Sequence, residues 1–240
     1  KYPYFDGKDK GLQFSKLKSF KSRNIQSFLY HDILNNLTSL EHLSIACHDL
    51  NMASLNILMK FITFNTKLKV FEISGCIFRQ LFHFDLAEKS SFKLEKLIID
   101  DHTFTDDVYH SKVYNNVAKL IRKQGDSLKE VSIDDYMGHE VLQAVFEAPR
   151  LKKFSIRSEM LNLDWDGFEL LKNVSISHLS IPTNDIRFVK KIFKLLPNLQ
   201  QLFCSYADQE ILKFLSENAK NLRSLSIEFL NIEDFSKHQI

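Results

Sequence analysis

The chain has 240 residues, 44% hydrophobic and 26% charged, the proportions of a folded globular protein rather than a disordered one. Lysine and arginine number 32 against 30 aspartates and glutamates, and this net charge of +2 gives no electrostatic case for nucleic acid or an acidic membrane surface. Only 6 glycines and 4 prolines argue against a β-sandwich or a Gly-rich cofactor fold.

In chain order, one six-residue template, Leu-x-x-Leu-x-Ile with apolar replacements, recurs nine times. It reads Leu17/Phe20 (with Ser22 in the last place), Leu40/Leu43/Ile45, Leu68/Phe71/Ile73 and Leu94/Leu97/Ile99. It continues as Leu128/Val131/Ile133, Leu151/Phe154/Ile156, Ile176/Leu179/Ile181, Leu199/Leu202/Cys204 and Leu222/Leu225/Ile227. The starts are 23, 28, 26, 34, 23, 25, 23 and 23 residues apart. Strand side chains alternate, so the fourth and sixth positions share one face and each template predicts a short strand.

The spacers have helical periodicity: Ile25, Phe28, Leu29 and Ile33, then Ile186, Val189, Phe193 and Leu196, then Ile211, Phe214 and Leu215. Asn184 is the expected cap of the second of these. The 34-residue interval carries an insertion, in which Val113, Val117, Leu120 and Ile121 predict a longer helix after the acidic, aromatic loop that follows Asp100. A loop of this kind either contributes to binding or is a tolerated surface insertion. One strand–helix unit cannot bury its apolar face alone. Stacked as parallel rungs, the units share a continuous core, which makes an α/β solenoid.

The strand template with helical spacers resembles the leucine-rich repeat family, in its irregular, helix-containing, ribonuclease-inhibitor-like form. In that family Asn or Cys follows eight places after the first leucine. Cys76 and Asn184 stand there, while the other rungs carry Ile25, His48, His102, Tyr136, Glu159, Ala207 and Leu230. The phrases LLPNLQQL (195–202) and ENAKNLRSL (217–225) are similar to F-box proteins that bear such repeats, and the likeness covers roughly residues 12–230. The resemblance implies a right-handed solenoid with a parallel concave sheet and convex helices, a single domain over 1–240 with about nine repeats. It implies a non-enzymatic protein-binding module, the substrate-recognition part of a cullin–RING ubiquitin ligase. A Skp-type adaptor would dock on an F-box expected upstream of Lys1, where neither Met nor a signal-like segment opens the chain. The same fold also serves as a scaffold or inhibitor wrapping a globular partner with no ubiquitin connection.

Template positions three, five and seven point away from the core, toward the concave side. They place Glu72, Ile98, Asp100, Glu130, Asp134, Lys153, Arg157 and Phe203 as candidate partner-binding residues. Asp100 and Asp134 share a column on adjacent rungs, so the recurring Asp–Asp pairs are printings of one repeat; with Glu72 and Glu130 they form an acidic patch flanked by Lys153 and Arg157. A divalent cation between Asp100 and Asp134, serving a metal-assisted hydrolase, is the rival reading. Five serines in the fifth-position column relieve crowding on a curved sheet or form a polar ladder. Phe203 and Ile98 interrupt it as apolar anchors.

No Gly-rich phosphate loop, G-x-S-x-G elbow or H-E-x-x-H pair occurs, so no catalytic residue, metal ligand or cofactor is assigned. Cys47, His48, Cys76 and His102 fall near strand ends without C-x-x-C spacing. Three widely spaced cysteines suit a reducing compartment, cytoplasmic or nuclear, and no apolar run is long enough to span a bilayer. Glycosylation triplets at Asn36 and Asn173 arise easily by chance. A monomer is expected.

Overall fold

From the third residue of each template onward, alternate side chains face opposite sides, and there each strand begins. The computed structural model describes residues 14–29, 34, 37–47, 50–100, 110–133, 138–156, 170–182 and 185–231. The strands are β1 (Ser19–Ser22), β2 (His42–Ala46), β3 (Val70–Ser74), β4 (Lys96–Asp100) and β5 (Glu130–Ile133), then β6 (Lys153–Ile156), β7 (His178–Ile181), β8 (Gln201–Asp208) and β9 (Ser224–Asn231). They form one nine-stranded, all-parallel sheet in strict chain order. The register pairs equal template positions, so Leu43 lies beside Phe71, Phe71 beside Leu97, and Leu97 beside Val131. All nine predicted strands are present.

Between them run α1 (Gln26–Leu29), α2 (Met52–Phe64), α3 (Ile77–Phe82), α4 (Leu86–Lys89), α5 (His110–Gln124), α6 (Gly138–Glu147), α7 (Ile186–Leu195) and α8 (Gln209–Asn218). Side-chain oxygens cap several of them: Asn51 accepts from the Ser54 N–H at 2.9 Å and Asp208 from the Ile211 N–H at 2.8 Å. The cap of α7 is Asp185 rather than Asn184, which lies outside the described residues; the Asp185 carboxylate accepts the Arg187 N–H at 2.8 Å. A carboxylate suits that place because it satisfies an orphan N–H and meets the positive end of the helix dipole.

Helices and strands share a single apolar core. Positions four and six of β2 to β8 are almost fully buried, whereas the alternate residues of most of these strands stay partly exposed. The sheet therefore has one face under helices and one open face. Phe71, Phe78, Phe82 and Phe92 are among its largest fully buried side chains, which accounts for part of the Phe content. The insertion after β4 supplies α5, whose Val113, Val117, Leu120 and Ile121 are buried as predicted. That helix is a packed element; residues 101–109 lie outside the described residues.

Buried amides tie three of the strand starts to a neighbouring rung. Asn65 accepts the Leu40 N–H at 3.3 Å and donates to the Phe61 carbonyl at 2.9 Å. Gln124 accepts the Leu94 N–H at 2.9 Å. Asn173 donates to the Phe146 and Ala148 carbonyls and accepts from the Ser175 and Ile176 N–H groups. The second template position adds a rim of alternating charge. Glu41 lies between Lys18 at 2.8 Å and Lys69 at 2.7 Å, and Glu95 pairs with Lys129 at 2.7 Å. The two lysines hold the Glu41 carboxyl down at about 2.

Candidate functional site

Because the register keeps equal positions side by side, the open face is a set of columns crossing the strands. The third-position column runs Lys96, Glu130, Lys153, His178, Gln201. The fifth runs Ser44, Glu72, Ile98, Ser132, Ser155, Ser180, Phe203, Ser226. These are the columns expected from the template.

Two grooves lie along this face. The larger, about 330 Å³, crosses β4 to β9 and is lined by Ser132, Ser155 and Ser180, with Ile98 at one end and Phe203 toward the other. The smaller, about 200 Å³, lies over β1 to β4 and is lined by Lys21, Arg23, Glu72 and Asp100. Ile98 lines both and separates them as a ridge. The structure thus brings Ile98, Glu130, Lys153 and Phe203 into one groove and Glu72 and Asp100 into the other. Asp134 and Arg157 lie outside the described residues, so the pairing of Asp134 with Asp100 and the flanking by Arg157 do too; the register of β4 on β5 ends at Ile99 beside Ile133.

The charges are partly matched within the face. Glu130 meets Lys96 at 2.8 Å, the neighbour on the preceding rung. Glu72 meets His42 Nε2 at 3.5 Å. Both expected acids therefore lie against side chains of the preceding rung. Lys153 is exposed and has no ion-pair partner among the described residues. His178 beside it is held below the ordinary histidine range, first by burial and then by the Lys153 charge, which favours the neutral ring. The Ser177 hydroxyl lies 2.8 Å from its Nδ1.

Aromatic side chains lead out of the larger groove. Phe203 is 36% exposed, and Tyr206 further along β8 stacks on Phe229 of β9 with ring centroids 5.2 Å apart. Lys96, His178 and Gln201 stand in the third-position column but were not singled out from the sequence, since each is an ordinary surface residue until the register sets it in one column with Lys153. The Tyr206–Phe229 stack lies beyond the six-residue template. Its signal was an aromatic at the same offset from Leu199 and Leu222.

Cys204 replaces a core isoleucine, and burial raises its thiol to about 12, so it stays protonated. Cys47 is also buried, and Cys76 sits just before α3. Among the described residues no group of three or more His, Cys, Asp or Glu side chains is arranged to hold a metal ion. Among the same residues no helix is long and apolar enough to cross a membrane. Neither a protein-family model nor a curated protein sequence matches this chain.

Proposed function

We propose that this chain is a leucine-rich-repeat solenoid whose open face docks a protein partner, and that it works as a binding module rather than an enzyme. The observation that supports this is a nine-rung parallel sheet with one face that no helix covers among the described residues, carrying two adjoining grooves. Extended, repeat-built faces of this kind present far more contact surface than a single small-molecule pocket. Parallel strand–helix–strand crossovers favour the right hand, which agrees with the solenoid expected from the template. Three cysteines outside any disulfide favour an intracellular setting, cytoplasmic or nuclear.

The wider role follows from the likeness of residues 195–202 and 217–225 to F-box repeat proteins: the chain is the substrate-recognition part of a cullin–RING ubiquitin ligase. The full-length protein is then expected to bring down a Skp-type adaptor and a cullin. Capture of other proteins without either would leave a scaffold or inhibitor in its place.

Face assignment is tested by charge reversal. Asp100→Lys and Lys153→Glu on the open face should each weaken capture of the partners far more than Lys60→Glu on the exposed side of α2. Equal losses from all three would mean that the partner does not use the open face. Lys60 is the cleaner control, because Lys119 and Arg122 on α5 make interhelical ion pairs with Asp85 at 2.9 Å and Glu147 at 2.6 Å.

A further inference from the structure

Every inner strand of the sheet has a parallel neighbour on both sides, whereas β9 has β8 on one side and no partner among the described residues on the other. Its eight residues hold out one side of their backbone over about 26 Å, at about 3.3 Å per residue. The helix-side residues are uncovered too. Leu225 is 39% exposed and Leu230 49%, although Leu202 and Ala207 beside them on β8 are each only 2% exposed. A long apolar edge pairs with another strand unless charge, proline or shortness prevents it. β9 contains no proline and one charged residue, Glu228. The opposite edge, β1, is protected: it has four residues, Lys16, Lys18, Lys21 and Arg23 stand along it, and its core-side Phe20 and Ser22 are already half-buried and buried.

The strand that matches β9 in length and pattern is β9 of a second copy. A head-to-tail union with β1 would cover half of its residues and set Arg223 beside Lys18 in the charged rim, like against like. An antiparallel union about a two-fold axis at Ser226 has no such conflict. It sets Leu222 beside Leu230 of the second copy, Leu225 beside Ile227, and Ser224 beside Glu228. Apolar residues then meet on the helix side, and serines and glutamate on the open side. The two Glu228 carboxylates stand four residues apart along the strands, about 13 Å and beyond the Debye length of physiological salt. An antiparallel strand at the edge of an otherwise parallel sheet is a common arrangement.

We infer that two copies of this chain join through β9, antiparallel about a two-fold axis at Ser226, so that their sheets run on as one. The contact is isologous and closes at two copies. The end face, one strand and one helix layer deep, measures about 26 by 20 Å, or roughly 1,000 Å² over both copies, the lower bound of a specific interface. Association at about 10–100 μM is therefore expected, and in more dilute solution β9 remains an open end. The grooves of the open face stay uncovered in the dimer, so this contact neither needs nor excludes a docked partner.

Sedimentation velocity of the full 240-residue chain, from about 2 to 200 μM, should show a dimer that grows with concentration and no larger species. Leu225→Lys and Leu230→Lys should each weaken dimerisation about tenfold or more, with circular dichroism unchanged, because both side chains are already exposed in the single copy. Lys21→Glu on β1 should leave it alone. A nitroxide on Ser226→Cys, in a Cys76→Ser background because Cys47 and Cys204 are buried, should report a distance under about 20 Å in the dimer. A head-to-tail assembly would instead place equivalent labels nine rungs apart, about 43 Å, and would grow past two copies. That result overturns the two-fold contact. A monomer at every concentration overturns the inference altogether and leaves the edge to residues after Asn231 or to a different protein. A dimer that both lysine variants leave intact also overturns it, since the contact would then lie elsewhere.

Discussion

Asn173 is 4% exposed and makes four hydrogen bonds, two donated to the carbonyls that end α6 and two accepted from the turn that starts β7. No helix is described between β6 and β7, so this amide carries much of the link between those rungs. Truncation would leave buried carbonyl and N–H groups unmet, at a cost of about 1–3 kcal/mol. Urea unfolding of Asn173→Ala should therefore show a clearly lowered midpoint. The exposed Asn221, which donates only to the Pro197 carbonyl at 2.8 Å, should lose less than about 1 kcal/mol on the same change. Equal losses would show that Asn173 is not a clamp. Gly75 shows the same dependence on neighbours. Its φ is +79°, and a Cβ there would come within 2.9 Å of the Cys47 carbonyl oxygen on the preceding rung. That glycine is required both by its left-handed backbone and by the close approach of two rungs.

At the scale of elements, strands find their register twice over. Apolar positions four and six hold them to the core, and the second-position charges hold them at the rim. Lys18, Glu41, Lys69, Glu95 and Lys129 alternate in sign over five successive rungs, and a slip of one residue would break every pair. The pH consequence is specific. The folded Glu41 carboxyl titrates at about 2, below its ordinary 4.5, so its contribution is fully present above about 4.5 and is lost as pH falls through 2. Comparing melting temperatures of the wild type and Glu41→Gln from pH 6 to pH 2 should show a gap that closes at the acid end and narrows in high salt. A gap that stays constant across this range would contradict the ion-pair account. The side chains are exposed, so the gap should be small. Helix α5 is the other lesson at this scale. A 34-residue interval looks like room for a binding loop, yet its second half is spent on a helix whose apolar side is buried against its neighbours.

Across the whole molecule, each rung is stabilised by the two beside it, so the ends have half the support of the middle. Leu225 of β9 is 39% exposed, whereas Leu97 at the same template position in β4 is fully covered. Hydrogen exchange should accordingly be fast in β9, slower in β8 and slowest in β3 to β5. Uniform protection from β1 to β9 would mean that the molecule opens as one cooperative unit instead. The same neighbour rule shapes the candidate site. A groove crossing five rungs keeps its geometry only while those rungs keep their register, so destabilising β6 should loosen both ends of the groove.

The sequence by itself determined the number of rungs, the start of each strand, which residues fill the core and which stand in the third- and fifth-position columns. It could do so because a repeat repeats its reasons: the same alternation and the same apolar spacing act nine times, and each instance corroborates the others. Tertiary structure decided what happens between columns. That Glu130 is matched by Lys96 while Lys153 is left exposed depends on which side chain reaches across a rung spacing of about 4.8 Å. That Ile98 borders both grooves depends on how neighbouring strands pack around it. Periodicity fixes addresses along the chain. Contacts between addresses are set only when the rungs are stacked.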